Sequence, residues 1–295
     1  MEAELARRGA ADICSAGFLS QLHREFYRRL PEEFQVLEDE SGRKHRVEPG
    51  RLRGAVVSVG YHVAPAHEHL SEFLRRFEEF YAPSVQSTPA GLVAAAAAHH
   101  RLAWIHPFLD GNGRVTRLFT QAWLQCAHTS ADGLWTLARG LARRQVDYRA
   151  VLSNADERRL HDFDGRGYLS ERRLSEFCGF VLTTAVDQLD FMRDLLDLDR
   201  MQNRIMGHAE RGEAAKELPA GSGLVLREIF LRGQIPRGEV ARIVVVSPRT
   251  AQTVTGRLLR TGLLVSDSPK GPVRLGFPSA AAGSYLPNLF PAGAE

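Results

Sequence analysis

The sequence predicts a mainly α-helical protein built from two domains. Long stretches place apolar residues three or four positions apart, as in AGFLSQLHREFYRRL at residues 16–30, which is the spacing of an amphipathic helix. Strand-like patterns are short and lie mainly between residues 34 and 65. The stretch KELPAGSG at 216–223 combines Pro, Gly and Ser after a long helical pattern, so we interpret it as a linker. A length of 295 residues suits two domains better than one.

The predicted first domain covers residues 1–217, and its first helical pattern ends before Pro31. FQVLEDESGRKHRVEPG then predicts two short strands around a Glu-Ser-Gly turn. The β-rich run RLRGAVVSVGYHVAP predicts a second hairpin, or flap, that ends at Pro65. Helical patterns follow at residues 69–81, 90–108, 113–127, 134–160 and 171–217.

The predicted second domain covers residues 218–285 and has a different pattern. Ser247 and Pro248 form a pair that typically opens a helix. LLVSDSPKGPVRLGF then predicts two strands around a turn. Three helices followed by a β-hairpin are the order of a small winged helix-turn-helix domain. The three short helical patterns lie at 224–233, 235–247 and 248–262.

Composition and charge exclude several classes of protein. Hydrophobic residues make up 44% and charged residues 25% of the chain, which is ordinary for a globular protein. No apolar run is long enough to span a bilayer, and the N-terminus lacks the apolar core of a signal peptide. Three cysteines stand far apart without a CxxC pair, which is typical of a reducing compartment. We therefore expect a cytoplasmic protein with no membrane partner.

The stretch HPFLDGNGRVTR, residues 106–117, places a base and a carboxylate close together. His106 follows an alanine-rich helix, and histidine titrates near neutral pH, so it can take a proton from a hydroxyl group. Asp110 supplies a hard oxygen ligand of the kind that Mg²⁺ prefers alongside substrate phosphates. Read singly, the histidine is more often a capping residue and the aspartate a turn residue. Their joint occurrence favours chemistry.

The second half of the motif favours an anionic ligand. Gly111, Asn112 and Gly113 open the next helix, where backbone N–H groups are free to bind an anion. Arg114 and Arg117 are three residues apart and share a helix face, and guanidinium groups match phosphate oxygens. A solvated helix face is the alternative for the arginines alone. Together these residue types predict phosphoryl or nucleotidyl transfer.

The stretch resembles the Fic family signature HxFx(D/E)GNGRxxR and matches it at every defined position. Family-like segments extend from about residue 20 to about residue 185 and include LHREFY, PGRLR, GYHVAP and DFDGRGYLS. The resemblance implies a helical Fic fold with a β-hairpin flap over the active site. It also implies transfer of AMP from ATP to a Ser, Thr or Tyr hydroxyl of a protein target, with release of pyrophosphate.

The resemblance carries residue roles with it. It implies that His106 is the general base, that Asp110 holds Mg²⁺, and that Arg117 contacts the γ-phosphate of ATP. Arg114 would support the α- and β-phosphates, which the 111–113 segment would cradle through Gly111, Asn112 and Gly113. The flap, through Val57, Val59 and Tyr61, would align the backbone of the protein target by strand addition. Phosphate transferases of the Doc type carry lysine where Gly113 stands, which favours AMP transfer.

One part that many Fic proteins carry is not matched. Their inhibitory helix has an (S/T)xxxE(G/N) motif, whose glutamate pairs with the last arginine of the signature. Only SNADER at 153–158 comes close here, and its final residue differs, so we interpret it as structural. Truncation or a separate inhibitory chain are the alternatives to an enzyme that is active by default. Removal of AMP typically uses the same glutamate, so the resemblance favours addition.

Two weaker patterns are interpreted as structural. DFDGRGYLSERR at 162–173 resembles the start of a calcium loop, but Arg166 and Arg173 stand where ligands belong. His67 and His69 flank a glutamate, but residues two apart on a helix do not share a face. Neither stretch predicts a metal site.

The second domain carries its own hypothesis. Residues 220–277 have an excess of six positive charges, against three for the whole chain. A third helix that presents Arg249, Thr250, Gln252 and Arg257 would fit a DNA major groove. A docking or homodimerisation module is the alternative. The rival to an enzyme is thus a DNA-binding regulator that uses the first domain as a nucleotide sensor, although a sensor has little use for the histidine of the signature.

Overall fold

The computed structural model describes residues 10–38, 42, 44–60, 62–127, 135–165 and 167–289. The chain divides into two compact units, residues 1–190 and 191–295, and each is described by itself. Helices dominate the described residues and the strands are short, which confirms the predicted mainly α-helical class. None of the helices in these ranges is long and apolar enough to cross a membrane.

Several helices of the first unit begin with a capping side chain. The side-chain oxygen of Ser15 accepts a hydrogen bond from the Phe18 N–H at 3.1 Å, and that of Thr88 accepts one from the Gly91 N–H at 3.0 Å. The helices are α1 (Ala16–Tyr27), α2 (Leu70–Tyr81), α3 (Pro89–Ile105), α4 (Asn112–Cys126), α5 (Leu137–Arg143), α6 (Gln145–Asn154) and α7 (Glu171–Leu195), the last of which runs past the division between the units.

The core of the first unit is one continuous apolar cluster. The alanine-rich α3 packs against both α2 and α4, because its small side chains allow close approach. Burial of each large apolar side chain stabilises the unit by about 1.5–3 kcal/mol. This packing fixes the ends of α3 and α4, and with them the 106–111 loop that joins the two helices. Members of the cluster are Phe18, Leu19, Leu74, Phe77, Ala95, Ala98, Leu102, Val115, Phe119 and Trp123.

Two antiparallel hairpins complete the first unit, as predicted. Strand β1 (Val36–Glu38) pairs with β2 (Lys44–Arg46), and β3 (Ser58–Val59) pairs with β4 (His62–Val63). The second hairpin, residues 56–63, is called the flap. Most of the turn predicted between β1 and β2 lies outside the described residues, and so does Tyr61.

The second unit has the predicted order of helices and strands with additions. Its elements are α8 (Leu198–Ala214), α9 (Ser222–Arg232), β5 (Gln234–Ile235), α10 (Val240–Val244), α11 (Pro248–Arg260), β6 (Leu264–Val265), β7 (Val273–Leu275) and α12 (Ser279–Tyr285). The strands form an antiparallel sheet in the order β5-β7-β6. The predicted helix at 235–247 is shorter than expected, because Pro236 is extended and Val245 takes a left-handed conformation that ends α10. The sequence did not predict α12.

The predicted boundary between residues 217 and 218 differs from the observed division after Asp190. Helix α8 belongs to the second unit, because Met201, Ile205 and Ala209 are buried in the second apolar core. The KELPAGSG stretch is a tight turn rather than a linker. The Leu218 N–H donates to the Gly212 carbonyl at 3.0 Å, in the manner of a helix C-terminal motif. Pro and Gly serve such a turn as readily as a linker.

We predict that a fragment of residues 191–295 is more stable than one of residues 218–295. The shorter fragment lacks α8 and leaves its apolar partners on α9 and α12 in water. The free energy of unfolding, measured by urea titration with circular dichroism, should be lower by at least about 3 kcal/mol for the shorter fragment.

Two substitutions in the longer fragment provide the control. Ile205→Ala removes a fully buried side chain and should lower the free energy of unfolding by about 2–5 kcal/mol. Leu198→Ala changes a side chain on the same helix that is 71% exposed and should have little effect. Equal urea midpoints for the two fragments would restore the boundary at 217/218.

Candidate active site

The 106–117 motif lines a cleft of about 390 Å³ in the first unit, opposite the flap. The cleft brings together every predicted catalytic, nucleotide-binding and metal-binding residue, and Val57 and Val59 of the flap. A larger cavity of about 500 Å³ is lined by aromatic and aliphatic side chains and two arginines, with neither a histidine nor a carboxylate. The residues around the smaller cleft are Val57, Ser58, Val59, His106, Leu109, Asp110, Gly111, Asn112, Gly113, Arg114 and Arg117.

His106 ends helix α3 in a left-handed conformation, with φ of 52°. Its Nδ1 lies 3.0 Å from the Ala103 carbonyl oxygen. Because a carbonyl only accepts hydrogen bonds, Nδ1 carries the proton and Nε2 keeps its lone pair. Burial lowers the pKa of His106, and the nearby His62 and Arg53 lower it further, against the opposing effect of the Ala103 carbonyl. The side chain is therefore a neutral base at pH 7.

Arg53 holds the backbone around His106. Its Nε donates to the His106 carbonyl at 2.7 Å, and its backbone N–H donates to the Pro107 carbonyl at 3.0 Å. The two Nη atoms donate to the carbonyls of Ala55 at 2.8 Å and Pro65 at 2.6 Å, at the two ends of the flap. The residue is only 5% exposed. One guanidinium group therefore joins the C-terminus of α3 to the base of the flap.

The Asp110 carboxylate is held by side chains of α1 and α4. The Tyr27 hydroxyl donates to Oδ2, and the Arg114 guanidinium lies 3.5 Å from the same oxygen. Burial and the hydrogen bond to the carboxylate both raise the pKa of Tyr27, so the phenol stays protonated and acts as a donor. Oδ1 makes no hydrogen bond to any residue in the described part of the chain.

His23 supports the loop from beneath. Its ring stacks between those of Tyr27 and Phe108, with centroid distances of 4.5 and 4.1 Å. The Gly50 N–H donates to Nδ1 at 2.8 Å, so Nε2 carries the proton and donates to the Asp110 carbonyl at 3.2 Å. Burial lowers the pKa of His23, which keeps the ring neutral. Both ring nitrogens are thus used to fix the loop.

The start of α4 offers free backbone donors. Gly111 takes φ of 78°, and a Cβ there would lie 2.7 Å from the Tyr27 ring, so only glycine fits. No side chain caps this helix, in contrast to α1 and α3. The N–H groups of Asn112 and Gly113 therefore remain available to an anion.

The side chain of Asn112 has a different role from the one the resemblance implies. Its Oδ1 accepts from the Phe108 N–H and its Nδ2 donates to the Phe108 carbonyl, both at 2.8 Å. The residue is only 3% exposed. The amide group braces the loop, which leaves the backbone of Asn112 as the part that can contact phosphate.

The two arginines of the motif flank the helix start. The Arg114 guanidinium also lies over the Phe26 ring at 5.4 Å. Arg117 lies near Gly113 and the Tyr148 hydroxyl. No carboxylate in the described ranges pairs with Arg117. The cleft therefore combines a neutral base, free N–H donors and positive charge, which suits a polyphosphate substrate.

Sequence reasoning missed four residues that shape this site: His23, Tyr27, Arg53 and His62. His23 and Tyr27 are four apart on α1, so a shared face was readable from their spacing. Arg53 lies in the family-like PGRLR turn, where nothing marks it as buried. His62, in the flap, has its ring centroid 6.5 Å from that of His106. The last two contacts join residues more than 40 positions apart, which no local pattern reveals.

Comparisons with known proteins match the first unit. Residues 14–124 match the model of the Fic/DOC family. The protein adenylyltransferase Fic of Nematostella vectensis is 38% identical over 86 residues, which is 29% of this chain and 20% of that protein. That of Drosophila melanogaster is 40% identical over 81 residues, 28% of this chain and 16% of that protein. The chain thus spans about a fifth or less of these curated relatives.

Two solved structures also show likeness. A crystal structure of a Fic family protein from Desulfovibrio desulfuricans gives a TM-score of 0.45 at 18% identity, and the match covers 93% of this chain and 71% of that one. A Fic domain-containing signalling protein from Bacteroides thetaiotaomicron gives a TM-score of 0.37 at 20% identity, with 62% and 69% covered.

We predict that Arg53→Lys destabilises the first unit. Lysine keeps the charge but cannot reach several carbonyls at once, so buried acceptors lose their donors. The free energy of unfolding should fall by about 2–4 kcal/mol. Urea titration with tryptophan fluorescence measures it, since the three tryptophans (Trp104, Trp123 and Trp135) all lie in the first unit.

Arg51→Lys is the matched control. Arg51 forms a surface ion pair with Glu48, and both side chains are more than 60% exposed. Such pairs contribute roughly 0–1 kcal/mol. If Arg53→Lys and Arg51→Lys have the same urea midpoint, Arg53 does not hold the loop as described.

Proposed function

We propose that this protein, whose residues 14–124 match the model of the Fic/DOC family, transfers AMP from Mg-ATP to a hydroxyl side chain of a protein, either another chain or itself. One observation carries the proposal: the unprotonated Nε2 of His106 shares a single cleft with the uncapped N-terminus of α4 and two arginines. A base beside a polyphosphate cradle is the arrangement that nucleotidyl transfer to a hydroxyl group requires.

The proton step belongs to His106. Its Nε2 takes the proton of a target Ser, Thr or Tyr hydroxyl as the oxygen attacks the α-phosphorus of ATP. The bond from that phosphorus to the oxygen of the β-phosphate breaks, and pyrophosphate leaves. The Ala103 carbonyl accepts a hydrogen bond from Nδ1. This contact fixes the orientation of the ring and stabilises the imidazolium that forms.

The negative charge of the phosphates meets fixed donors. We assign the N–H groups of Asn112 and Gly113, which have no partner among the described residues, to the α- and β-phosphates, with Arg114 beside them. Arg117 is assigned to the γ-phosphate, since it lines the cleft without a carboxylate partner among the described residues. These groups hold the phosphates in place for in-line attack.

Asp110 fits a magnesium ion. Mg²⁺ is usually held by one or two carboxylates together with substrate phosphates, and the Oδ1 atom of Asp110 is free of protein partners among the described residues. No group of three or more His, Cys, Asp or Glu side chains converges among the described residues. A bound ion would neutralise charge on the phosphates.

The flap supports docking of a protein target. Val59 is 54% exposed and Val63 is 65% exposed, so the hairpin presents apolar side chains and unpaired backbone groups beside the cleft. An extended target segment would pair with β3 and bring its hydroxyl to His106. Gly113 favours a nucleotidyl over a phosphoryl product, because the Doc-type phosphate transferases that the signature resembles carry lysine at this position.

Label transfer tests the proposal. The full chain is incubated with α-³²P-ATP and Mg²⁺, alone and with cell lysate, and label on protein is measured. His106→Ala should lower the labelling rate by about 10²–10⁴-fold, because the base is lost. The exposed His69→Ala is a matched control that should keep the wild-type rate.

The pH dependence provides a second check. The pKa of His106 lies below its ordinary value of 6.5, so the base stays unprotonated at pH 6.5–7.5. The labelling rate should be flat in this range and fall as the pH drops through the lowered pKa. Unchanged labelling by His106→Ala would argue against His106 as the base, and Mg-ATP binding without any labelled protein would argue against AMP transfer.

The second unit supports a separate candidate function, DNA binding through a winged helix-turn-helix. Arg249 and Gln252 are exposed on α11, where a recognition helix would contact bases. The other predicted residues have internal partners: Thr250 bonds to the capping Ser247, and Arg257 Nε donates to the Glu217 carbonyl at 3.0 Å. The residues that carry the hypothesis are thus reduced to two.

A gel shift with the full chain distinguishes the candidates. DNA binding that weakens with salt and is lost in Arg249→Ala/Gln252→Ala would favour the regulator. Binding that is absent, or equal in the variant, would leave the second unit as a docking module.

A further inference from the structure

The flap is too small to hold its own position. Its strands form two cross-strand pairs, Ser58 with Val63 and Val59 with His62, and the Ala64 N–H donates to the Val57 carbonyl at 3.0 Å. Isolated hairpins are marginal in water even when longer. Several of its side chains are exposed, so burial contributes little. Contacts with the rest of the first unit must therefore place the flap over the cleft.

His62 supplies such a contact on the returning strand. Its Nε2 lies 2.8 Å from the Trp104 carbonyl oxygen, two residues before the base. Its Nδ1 lies 3.4 Å from Oδ2 of Asp156, just after α6. A carbonyl and a carboxylate only accept hydrogen bonds, so both ring nitrogens of His62 face acceptors. Nε2 donates to the Trp104 carbonyl, and the Asp156 carboxylate binds the ring as an ion pair when Nδ1 also carries a proton.

Asp156 is itself fixed from below. Its Oδ1 lies 2.9 Å from Nε2 of His100, a histidine of α3 that is 1% exposed. The Asp156 side chain is 24% exposed and that of His62 is 17% exposed, so solvent screens this pair less than a surface pair. The carboxylate therefore connects the helical core to a strand of the flap.

We propose that Asp156 is a positioning residue that fixes the flap through His62 and so aligns the protein target with the base. This inference rests on the proposed function. The unit of Asp156, His62 and the Trp104 carbonyl is called the flap latch. Arg53 holds the two ends of the flap, and the flap latch holds its returning strand. The wall formed by Val57 and Val59 opposite His106 then keeps its distance from the base.

Loss of the flap latch should affect the protein target and not ATP. In the proposed function ATP is held by α4 and its arginines, whereas the flap holds the protein target. Release of the flap latch moves the target and leaves the nucleotide in place. A misplacement of about 1 Å can cost roughly 10²-fold in rate. The flap latch should thus act on the rate at saturating ATP and not on the KM for ATP.

Hydrogen–deuterium exchange of the full chain tests the flap latch directly. Asp156→Ala and His62→Ala should each raise the exchange rates of amides in residues 57–63 by about tenfold. The double variant should exchange no faster than the faster single variant, because both remove one connection. Asp147→Ala, within helix α6 shortly before Asp156 in the chain and 61% exposed, is the matched control and should leave the flap unchanged.

A kinetic measurement adds a readout that loss of fold would not produce. In self-labelling with α-³²P-ATP, both variants should keep the KM for ATP within about twofold and lose about tenfold or more of the maximal rate. His62→Ala removes the side chain on the flap and leaves Asp156 in place. It therefore tests the flap latch even if Asp156→Ala does not fold.

The outcomes separate the two proposals. Wild-type protein that binds Mg-ATP but never labels protein would overturn AMP transfer, while the exchange experiment would still judge the flap latch. Flap exchange that is unchanged in His62→Ala would overturn the flap latch. Additive effects on exchange in the double variant would also overturn it. So would a rise in the KM for ATP by the same factor as the fall in the maximal rate.

Discussion

The geometry of the cleft depends on how helix α3 ends. The last carbonyls of any helix lack partners within it, and a helix end buried without donors is costly. Here the chain turns left-handed at His106, and the Arg53 side chain donates to the carbonyl of that residue. The same guanidinium reaches Ala55 and Pro65. The His106 backbone and the two ends of the flap are therefore joined through one guanidinium group.

Two neutral histidines in the site differ in whether a ring nitrogen is left without a hydrogen-bond partner. In His23 one nitrogen accepts from Gly50 and the other donates to Asp110, so no lone pair is left. In His106 only Nδ1 has a protein partner, and Nε2 lines the cleft. Burial lowers the pKa of both. The first histidine is thus structural and the second can transfer a proton, although sequence alone gives both the same titration range.

The sequence predicted those parts of the molecule that local patterns encode. Helical periodicity located α1 to α4, and the 106–117 motif placed the base, the free helix N-terminus and the arginines within twelve residues. Side chains that act across the fold escaped prediction: Arg53 and His62 contact the end of α3 from more than 40 positions away. The domain boundary was misplaced for a related reason. Whether Pro and Gly form a tight turn or a linker depends on what the neighbouring helix buries, and α8 buries its apolar face in the second unit.

The SNADER stretch illustrates how burial and pairing define a role. Its glutamate, Glu157, lies 3.5 Å from Arg173 and not beside the arginine of the signature. Its aspartate, Asp156, is shared between His100 and His62. Both acids therefore make their contacts away from Arg117. No carboxylate among the described residues pairs with Arg117, and the aspartate beside the glutamate of this stretch contacts a histidine of the flap instead.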